Sequence, residues 1–288
     1  MKKVLLFGAT GNIGQAIARE VLEKGYKLSI VVRNKRKAEL LNGLPSKYIV
    51  ADITDPGSLA GISRGQDIVI SAVGKSVSPN DKSKQTFHEV DFMGNANVLQ
   101  EAQASGVKKF IYVSAFHSER YLHLNYCKVH HDFAELLQRS GINYSIIKPP
   151  AVFSAFVDMI EMAKKGRLIT IGAGDKKTNP IYEGDLAKVC VDSIKHPKAV
   201  IEVGGKMIYT RHELNELVQN AVNPKKKVRH IPPGLMITAL PLIRLFDKNM
   251  YDKFSFFIEV TQQDTVAPQL GEMRFEDYIR SKVNAWKK

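Results

Sequence analysis

Three glycines near the amino terminus, Gly8, Gly11 and Gly14, have the spacing of a phosphate-binding turn. They follow an apolar stretch of strand length at residues 3–7 and precede the apolar stripe of a helix. Gly8 allows the tight turn out of the strand, Gly11 lets backbone N–H groups approach a pyrophosphate, and Gly14 lets the helix pack closely on the strand. The amino terminus of the helix adds unpaired N–H groups. This context predicts a dinucleotide-binding βαβ unit; the alternative is a glycine-rich turn without a ligand.

A basic residue stands where a dinucleotide-binding fold contacts the ribose of the adenosine. The second predicted strand ends at Val32 and runs into Arg33, with no carboxylate in the following residues. An acidic residue at this place binds the 2′-hydroxyl of NAD, whereas a guanidinium binds a 2′-phosphate and stacks on the adenine. The sequence therefore favours NADP(H) as the cofactor and leaves NAD(H) as the alternative. Lys35 and Lys37 are expected to be solvated charges at the start of a helix.

Strands and helices alternate through the first half of the chain. Six apolar segments of strand length precede residue 149 and are separated by helical patterns. This alternation predicts an α/β fold, a doubly wound parallel sheet (Rossmann fold) covered on both faces. We place the NAD(P)-binding domain at residues 1–152. Residues 153–288 are expected to form a smaller C-terminal lobe on the substrate side, partly interleaved with the sheet, in which Thr210 and Glu213 form a capping box.

Composition and charge restrict the classes of function. The chain has 288 residues, two cysteines and a net charge of +13. Two cysteines do not make a disulfide framework, which indicates a reducing compartment and a cytoplasmic protein. No apolar stretch is long enough to cross a membrane. The basic residues are scattered, which disfavours nucleic-acid binding and fits an anionic ligand. No metal-binding spacing of histidines and carboxylates is present, so no metal is expected, and the chain is expected to be a monomer or a dimer.

Eight segments along nearly the whole chain carry a family resemblance. They are Gly8–Gly14, Val32–Asn34, Ala51–Asp55, Ser71–Gly74, Gly106–Ser114, Ser140–Pro149, Asn179–Ala187 and Val203–Gly205. In these segments the chain resembles the NmrA-like, NAD(P)H-binding class of atypical short-chain dehydrogenases/reductases. The motifs are specific for the superfamily and not for one reaction.

The resemblance implies further contacts with the cofactor. Thr10, Asn12 and Ile13 would line the pyrophosphate. The other implied contacts are Asp52 and Ile53 beside the adenine, Ala72, Val73 and Gly74 under the ribose, and Pro149 with the three residues after it beside the nicotinamide. Asp52 has an alternative role as a turn residue at the end of a strand.

The resemblance also implies catalytic positions. Active members carry a serine after the fifth strand and a Tyr-x-x-x-Lys pair on the next helix, in which the tyrosine donates a proton and the lysine lowers its pKa. Ser114 and Tyr126 match the serine and the tyrosine, but His130 stands in the position of the lysine. Histidine carries a weaker permanent charge than lysine. We therefore expect Tyr126 to be the proton donor, His130 to tune it and Ser114 to orient the acceptor, if the protein is an enzyme.

Two classes of function remain open at this point. The first is an NADPH-dependent oxidoreductase that reduces a small apolar carbonyl, quinone or enone. The second is a non-catalytic NADP(H)-binding protein that senses redox state or assists the assembly of a complex with an unknown protein partner. The apolar segment Leu235–Phe246 is expected to be a lobe helix that covers the substrate cleft, with contact to a membrane or a partner as the alternative.

Overall fold

The computed structural model describes residues 1–39, 41, 44 and 47–287. Its strands are β1 (Lys3–Phe7), β2 (Lys27–Val32), β3 (Lys47–Val50), β4 (Ile68–Ser71), β5 (Lys109–Val113), β6 (Asn143–Lys148), β7 (Ile169–Ile171), β8 (Lys177–Thr178), β9 (Ala199–Glu202), β10 (Tyr209–Thr210) and β11 (Arg229–Ile231). Its α-helices are α1 (Asn12–Glu23), α2 (Lys35–Glu39), α3 (Pro56–Leu59), α4 (Asn95–Ala104), α5 (Asn125–Arg139), α6 (Asp158–Lys164), α7 (Glu183–Asp192), α8 (Arg211–Val222), α9 (Pro233–Phe246), α10 (Lys248–Val260) and α11 (Phe275–Lys287).

The chain divides into two compact units that alternate along the sequence. The first unit contains Met1–Lys75, Gln85–Lys148 and Glu183–Ile201. The second unit contains Ser76–Lys84, Pro149–Tyr182 and Glu202–Lys288.

The first unit is built on a seven-stranded sheet with the strand order β3-β2-β1-β4-β5-β6-β9. The strands from β3 to β6 pair in parallel, and Val31 of β2 and Ser71 of β4 lie on either side of Phe7 at the end of β1. The strand order reverses between β1 and β4, and in such sheets ligands bind beyond the carboxyl ends of the strands at that point. The expected doubly wound parallel sheet is confirmed.

Apolar periodicity explains why the helices of this unit cover the sheet. In α1 the buried residues are Gly14, Ile17, Ala18 and Val21, a stripe along one side of the helix. The central strands are buried on both faces; every residue of β4 and β5 is buried. Helix α7 packs against α1, so a segment late in the chain completes the layer that begins with the glycine turn.

One helix of the first unit differs from the expectation. The sequence pattern predicts a single helix over residues 90–104, but the structure has a π-helical segment at His88–Gly94 before α4 begins. A Cβ atom on Gly94 would lie 2.5 Å from Cδ1 of Ile53, so a larger residue there would require the Ile53 side chain to shift. The segment carries Asp91, which is completely buried. Such π-helical turns are frequent at functional sites.

The second unit has a separate apolar core, in which Phe153, Phe275 and Tyr278 contact one another through their rings. Two short strand pairs flank this core, β8 with β10 and β7 with β11. The expected capping box at the start of α8 is confirmed: Glu213 N–H donates to Thr210 Oγ1 at 3.1 Å, and Thr210 N–H donates to Glu213 Oε2 at 2.6 Å.

Candidate functional site

The glycine turn after β1 has the geometry that each of its glycines predicts. Gly8 has φ +81°, and a Cβ atom there would lie 2.5 Å from the carbonyl oxygen of Ala72. A Cβ atom on Gly14 would overlap the carbonyl oxygen of Gly8. At Gly11 a Cβ atom would meet only that same oxygen, at 3.5 Å. The packing of the protein therefore requires Gly8 and Gly14, while Gly11 is open to a group outside the chain.

The amino terminus of α1 is open to an anion. Gly11 is the cap residue and has no side chain that could hydrogen-bond the first-turn N–H groups. Its own N–H donates to the carbonyl oxygen of Gly8 at 3.0 Å, which closes the turn. Asn12 is exposed, and Thr10 and Ile13 are half-buried beside the turn. Free N–H groups and a positive dipole end are what a pyrophosphate requires, so these residues fit the dinucleotide.

Arg33 lies at the same edge of the sheet as the glycine turn. Val31 is opposite Phe7 in the register of β2 and β1, so Arg33 emerges beside the residues that follow β1. The Arg33 side chain is exposed, and its Nη1 donates to Gln85 Oε1 at 3.4 Å. A long hydrogen bond to a neutral amide leaves most of the guanidinium donors available to a phosphate.

Asp52 and Ile53 follow β3 in a tight turn. Asp52 Oδ1 accepts hydrogen bonds from Thr54 N–H at 2.9 Å and from the Thr54 hydroxyl at 2.8 Å. This geometry supports the role of Asp52 as a turn residue, because one of its two oxygens is already occupied. Ile53 is buried, and its carbonyl oxygen accepts from Asn97 at 2.9 Å.

Ala72, Val73 and Gly74 continue from β4 and run along the turn after β1. The N–H of Ala72 donates to the carbonyl oxygen of Phe7 at 3.1 Å. The end of this segment is fixed by Asp91, whose carboxylate accepts from Lys75 N–H at 3.0 and 3.3 Å. Burial raises the pKa of Asp91 to about 8. Sequence reasoning missed Asp91; its only signal is an acidic residue in an otherwise apolar pattern before α4.

His130 lies inside the first unit with both ring nitrogens close to polar partners. Its Nδ1 lies 2.6 Å from the Tyr112 hydroxyl, and its Nε2 lies 3.4 Å from Asp91 Oδ1. Burial lowers the pKa of His130 to about 4. A neutral ring then accepts from Tyr112 and directs Nε2–H toward Asp91. His130 therefore does not supply the positive charge of the lysine that it replaces.

Tyr126 and Ser114, the other expected catalytic residues, belong to the same unit. Tyr126 is half-buried at the start of α5, and its ring meets the His130 ring edge-on at 4.6 Å. Burial, and after it the charge of Asp91, raises the pKa of Tyr126. Ser114 follows β5, and its buried Oγ has no well-formed hydrogen bond within the described part of the chain. The structure thus joins Tyr126 to His130 and leaves the Ser114 hydroxyl with unused bonding capacity.

The loop after β5 contains a feature that the sequence did not reveal. His117 has φ +52°, and its ring stacks on Phe116 at 3.7 Å between centroids. A non-glycine residue in this conformation costs energy, and such residues cluster at functional sites. Nearby in the same unit, Lys148 Nζ lies 2.9 Å from Glu119 Oε2. Pro149, the expected nicotinamide neighbour, is the next residue in the chain and belongs to the second unit.

Two kinds of feature are absent from the described residues: a cluster of metal-binding side chains and a membrane-spanning helix. No group of three or more histidine, cysteine, aspartate or glutamate side chains in that part of the chain could hold a metal ion. No helix formed by those residues is long and apolar enough to cross a bilayer.

Comparison with known proteins shows one family. A profile described as NAD(P)H-binding matches residues 8–197. Photosystem II assembly factor Ycf39 of Trieres chinensis is 24% identical over 259 residues, 88% of this chain and 80% of that protein. Divinyl chlorophyllide a 8-vinyl-reductase of Arabidopsis thaliana is 27% identical over 258 residues, 81% of this chain and 60% of that protein. The crystal structure of an Escherichia coli NADPH-dependent quinone oxidoreductase complexed with NADPH has a TM-score of 0.73 at 20% identity, covering 99% of this chain and 100% of that one.

Proposed function

The chain belongs to the NAD(P)H-binding family, and on this basis we propose that it prefers NADP(H) and reduces a small apolar quinone, enone or carbonyl with NADPH. The observation that carries the proposal is the open glycine turn at α1 with Arg33 at the same sheet edge. Gly11 has no packing reason to be glycine, so a ligand that approaches the backbone closely accounts for it.

The preference for NADP(H) rests on Arg33. No acidic residue is present at positions 33–37 after β2, and within the described part of the chain the exposed guanidinium makes a long hydrogen bond to a neutral amide. A 2′-phosphate would offer it charge-assisted and bidentate hydrogen bonds, which are about twice as strong as neutral ones.

The chemistry proposed for the site depends on what its residues can do with protons. NADPH, when bound, supplies a hydride. Tyr126 stays protonated at neutral pH because burial raises its pKa, so it can donate a proton to the reduced acceptor. The Ser114 hydroxyl is positioned after β5 to hydrogen-bond an acceptor oxygen. Neutral His130 does not lower the pKa of Tyr126, which makes Tyr126 a weak acid. Quinones and enones suit such a site because the anion formed by hydride addition is already stabilised by conjugation.

The names of two compared proteins support this reaction class: a vinyl reductase, and a quinone oxidoreductase that uses NADPH. The cytoplasmic location that we propose with it rests on cysteine content alone, and the Arabidopsis relative is chloroplastic by name.

The alternative function is an NADP(H)-binding assembly factor without reductase activity. Its supporting observation is the neutral, buried His130 in place of a charged lysine. A relative with this kind of role by name is the photosystem II assembly factor Ycf39.

Calorimetric titration with NADPH and NADH tests the cofactor proposal. We expect Arg33→Ala to weaken NADPH binding roughly 10- to 150-fold and to leave NADH binding almost unchanged. Arg36→Ala is the matched control, because it removes an exposed arginine three residues away. Equal affinity of the unmodified protein for both cofactors would overturn the preference. Oxidation of NADPH with a panel of quinones and enals then separates the two functions, since tight binding without reduction selects the assembly role.

A further inference from the structure

Helix α9 presents an apolar face to solvent. None of its fourteen residues is buried. Leu235, Leu242, Leu245 and Phe246 are 66%, 62%, 78% and 80% exposed, and we call these four residues the outer face of α9. The sequence predicts a lobe helix that covers the substrate cleft; the structure forms this helix in the second unit and leaves its outer apolar residues exposed. Soluble proteins rarely expose several large apolar side chains side by side without a function for them.

Helix α9 is apolar on both sides, unlike an ordinary surface helix. The half-buried residues recur at spacings of three and four, at Pro233, Met236, Leu240 and Ile243. The opposite side, where a surface helix carries its charges, is the outer face. Thr238 lies on this side, and its hydroxyl donates to the carbonyl oxygen of Leu235 at 2.9 Å. Its polar group is thus already satisfied within the helix.

Helix α9 is held in place by α10, against which it packs. Helix α10 is anchored in the second unit by Lys253, which is 2% exposed. Lys253 Nζ donates to the carbonyl oxygens of Ser78 and Asp81, both at 2.9 Å. The Arg244 guanidinium lies 5.3 Å from the centre of the Tyr251 ring. The outer face therefore belongs to a helix pair with a fixed support.

Basic residues lie on both sides of α9 in the sequence. Residues 224–248 contain six exposed basic residues and one acidic residue: Lys225, Lys226, Lys227, Arg229, Arg244, Lys248 and Asp247. The Asp247 carboxylate caps α10 by accepting from Met250 N–H at 2.9 Å. An apolar strip with basic residues before and after it in the sequence suits a phospholipid membrane, which has an apolar interior and can have anionic headgroups.

We propose that the outer face of α9 is a docking surface for an anionic phospholipid membrane. The fourteen-residue helix is about 21 Å long at 1.5 Å per residue, which is shorter than the hydrocarbon core of a bilayer. Helix α9 therefore lies parallel to the membrane in the membrane–water interface, with Leu245 and Phe246 among the acyl chains and the basic residues at the headgroups.

Charge also argues against a second copy of the chain as the occupant. A symmetric dimer through α9 would place the basic flanks of two copies close together. The lipid headgroups of an anionic membrane instead attract and neutralise them. The inference does not depend on the cofactor or on any reductase activity.

Flotation with lipid vesicles tests the proposal on the full chain. One set of vesicles is phosphatidylcholine, and the other is phosphatidylcholine and phosphatidylglycerol in equal parts. We expect binding to the anionic vesicles that weakens as salt is added. Leu245→Glu is expected to weaken it at least ~10-fold, because it removes an exposed leucine that would enter the membrane and adds a negative charge. Leu270→Glu is the matched control: it changes a 53% exposed leucine of the same unit, outside α9, and should bind like the unmodified protein.

Further measurements make each outcome decisive. Circular dichroism and thermal melting confirm that each variant is folded. Lys225→Gln with Lys227→Gln should reduce binding to the anionic vesicles and leave the weak binding to phosphatidylcholine unchanged. Absence of vesicle binding, or equal loss in Leu245→Glu and Leu270→Glu, would overturn the proposal. Light scattering measures self-association of the chain. If the unmodified protein self-associates and Leu245→Glu abolishes this, the outer face of α9 binds a second copy and the membrane proposal is overturned.

Discussion

Replacement of Asp91 by asparagine should remove a specific part of the pH dependence of stability. Burial raises the pKa of Asp91 to about 8 from 3.8 and lowers the pKa of His130 to about 4 from 6.5. The two side chains lie 3.4 Å apart, and between these limits the folded pair holds one titratable proton, on Asp91. Asparagine keeps an acceptor oxygen for the N–H of Lys75 but cannot titrate.

The sign and size of this pH dependence follow from the number of protons that the pair binds in the folded and in the unfolded chain. Below pH 6.5 the unfolded chain also holds one proton on this pair, on His130, so the pair contributes no slope between pH 4 and pH 6.5. Between pH 6.5 and 8 the unfolded chain has released that proton while the folded pair keeps it, so stability falls as pH rises. At about 1.4 kcal/mol per proton and pH unit, partial titration at both ends leaves a loss of about 1 kcal/mol.

Urea unfolding followed by circular dichroism at pH 6.5 and pH 8 measures this loss. The unmodified protein should lose about 1.5 kcal/mol more of its free energy of unfolding across this window than Asp91→Asn, because the titration of His130 in the unfolded chain occurs in both proteins. Comparing the two proteins cancels other groups that titrate in both. If both lose the same amount, Asp91 does not hold the proton and the account of the buried pair is wrong.

Three further substitutions test individual residues. Gly11→Val should abolish NADPH binding in calorimetry without lowering the melting temperature, because a Cβ atom at this position meets only the Gly8 oxygen within the protein. If the variant binds NADPH like the parent, the glycine turn does not bind the pyrophosphate. Gly14→Ala should lower the free energy of unfolding in urea by about 1–3 kcal/mol, because its Cβ overlaps the Gly8 carbonyl. Tyr126→Phe should lower turnover of an accepted substrate ~10²-fold at unchanged NADPH affinity in steady-state kinetics, and unchanged turnover would assign the proton to solvent.

The parallel sheet and the glycine turn were predictable because their causes are local in sequence. An apolar run, a glycine triplet and a helical stripe specify a βαβ unit whatever follows them. The capping box at Thr210 and Glu213 was predictable for the same reason, since both partners lie within one helical turn. Arg33 was identified from its distance to the glycine turn, and the register of β1 and β2 brings it to that edge.

The features that sequence reasoning missed depend on contacts between residues far apart in the sequence, or on backbone conformations that have no sequence signal. Helix α10 mixes lysines with aromatic residues, and its buried Lys253 is held by carbonyl groups about 170 positions away. The π-helical segment before α4 ends at Gly94, which packs against Ile53 from the turn after β3. His117 adopts φ +52° in a loop with no turn signal in its sequence.

By itself, the sequence determined the sheet, the dinucleotide turn and the basic residue beside it, because each depends on neighbours along the chain. Only the tertiary structure decided that His130 is a neutral residue between Tyr112 and Asp91, because those partners come from β5 and from the π-helical segment. The same holds for the outer face of α9. Its apolar residues are compatible with a buried helix, and whether other elements cover them depends on the packing of the whole unit.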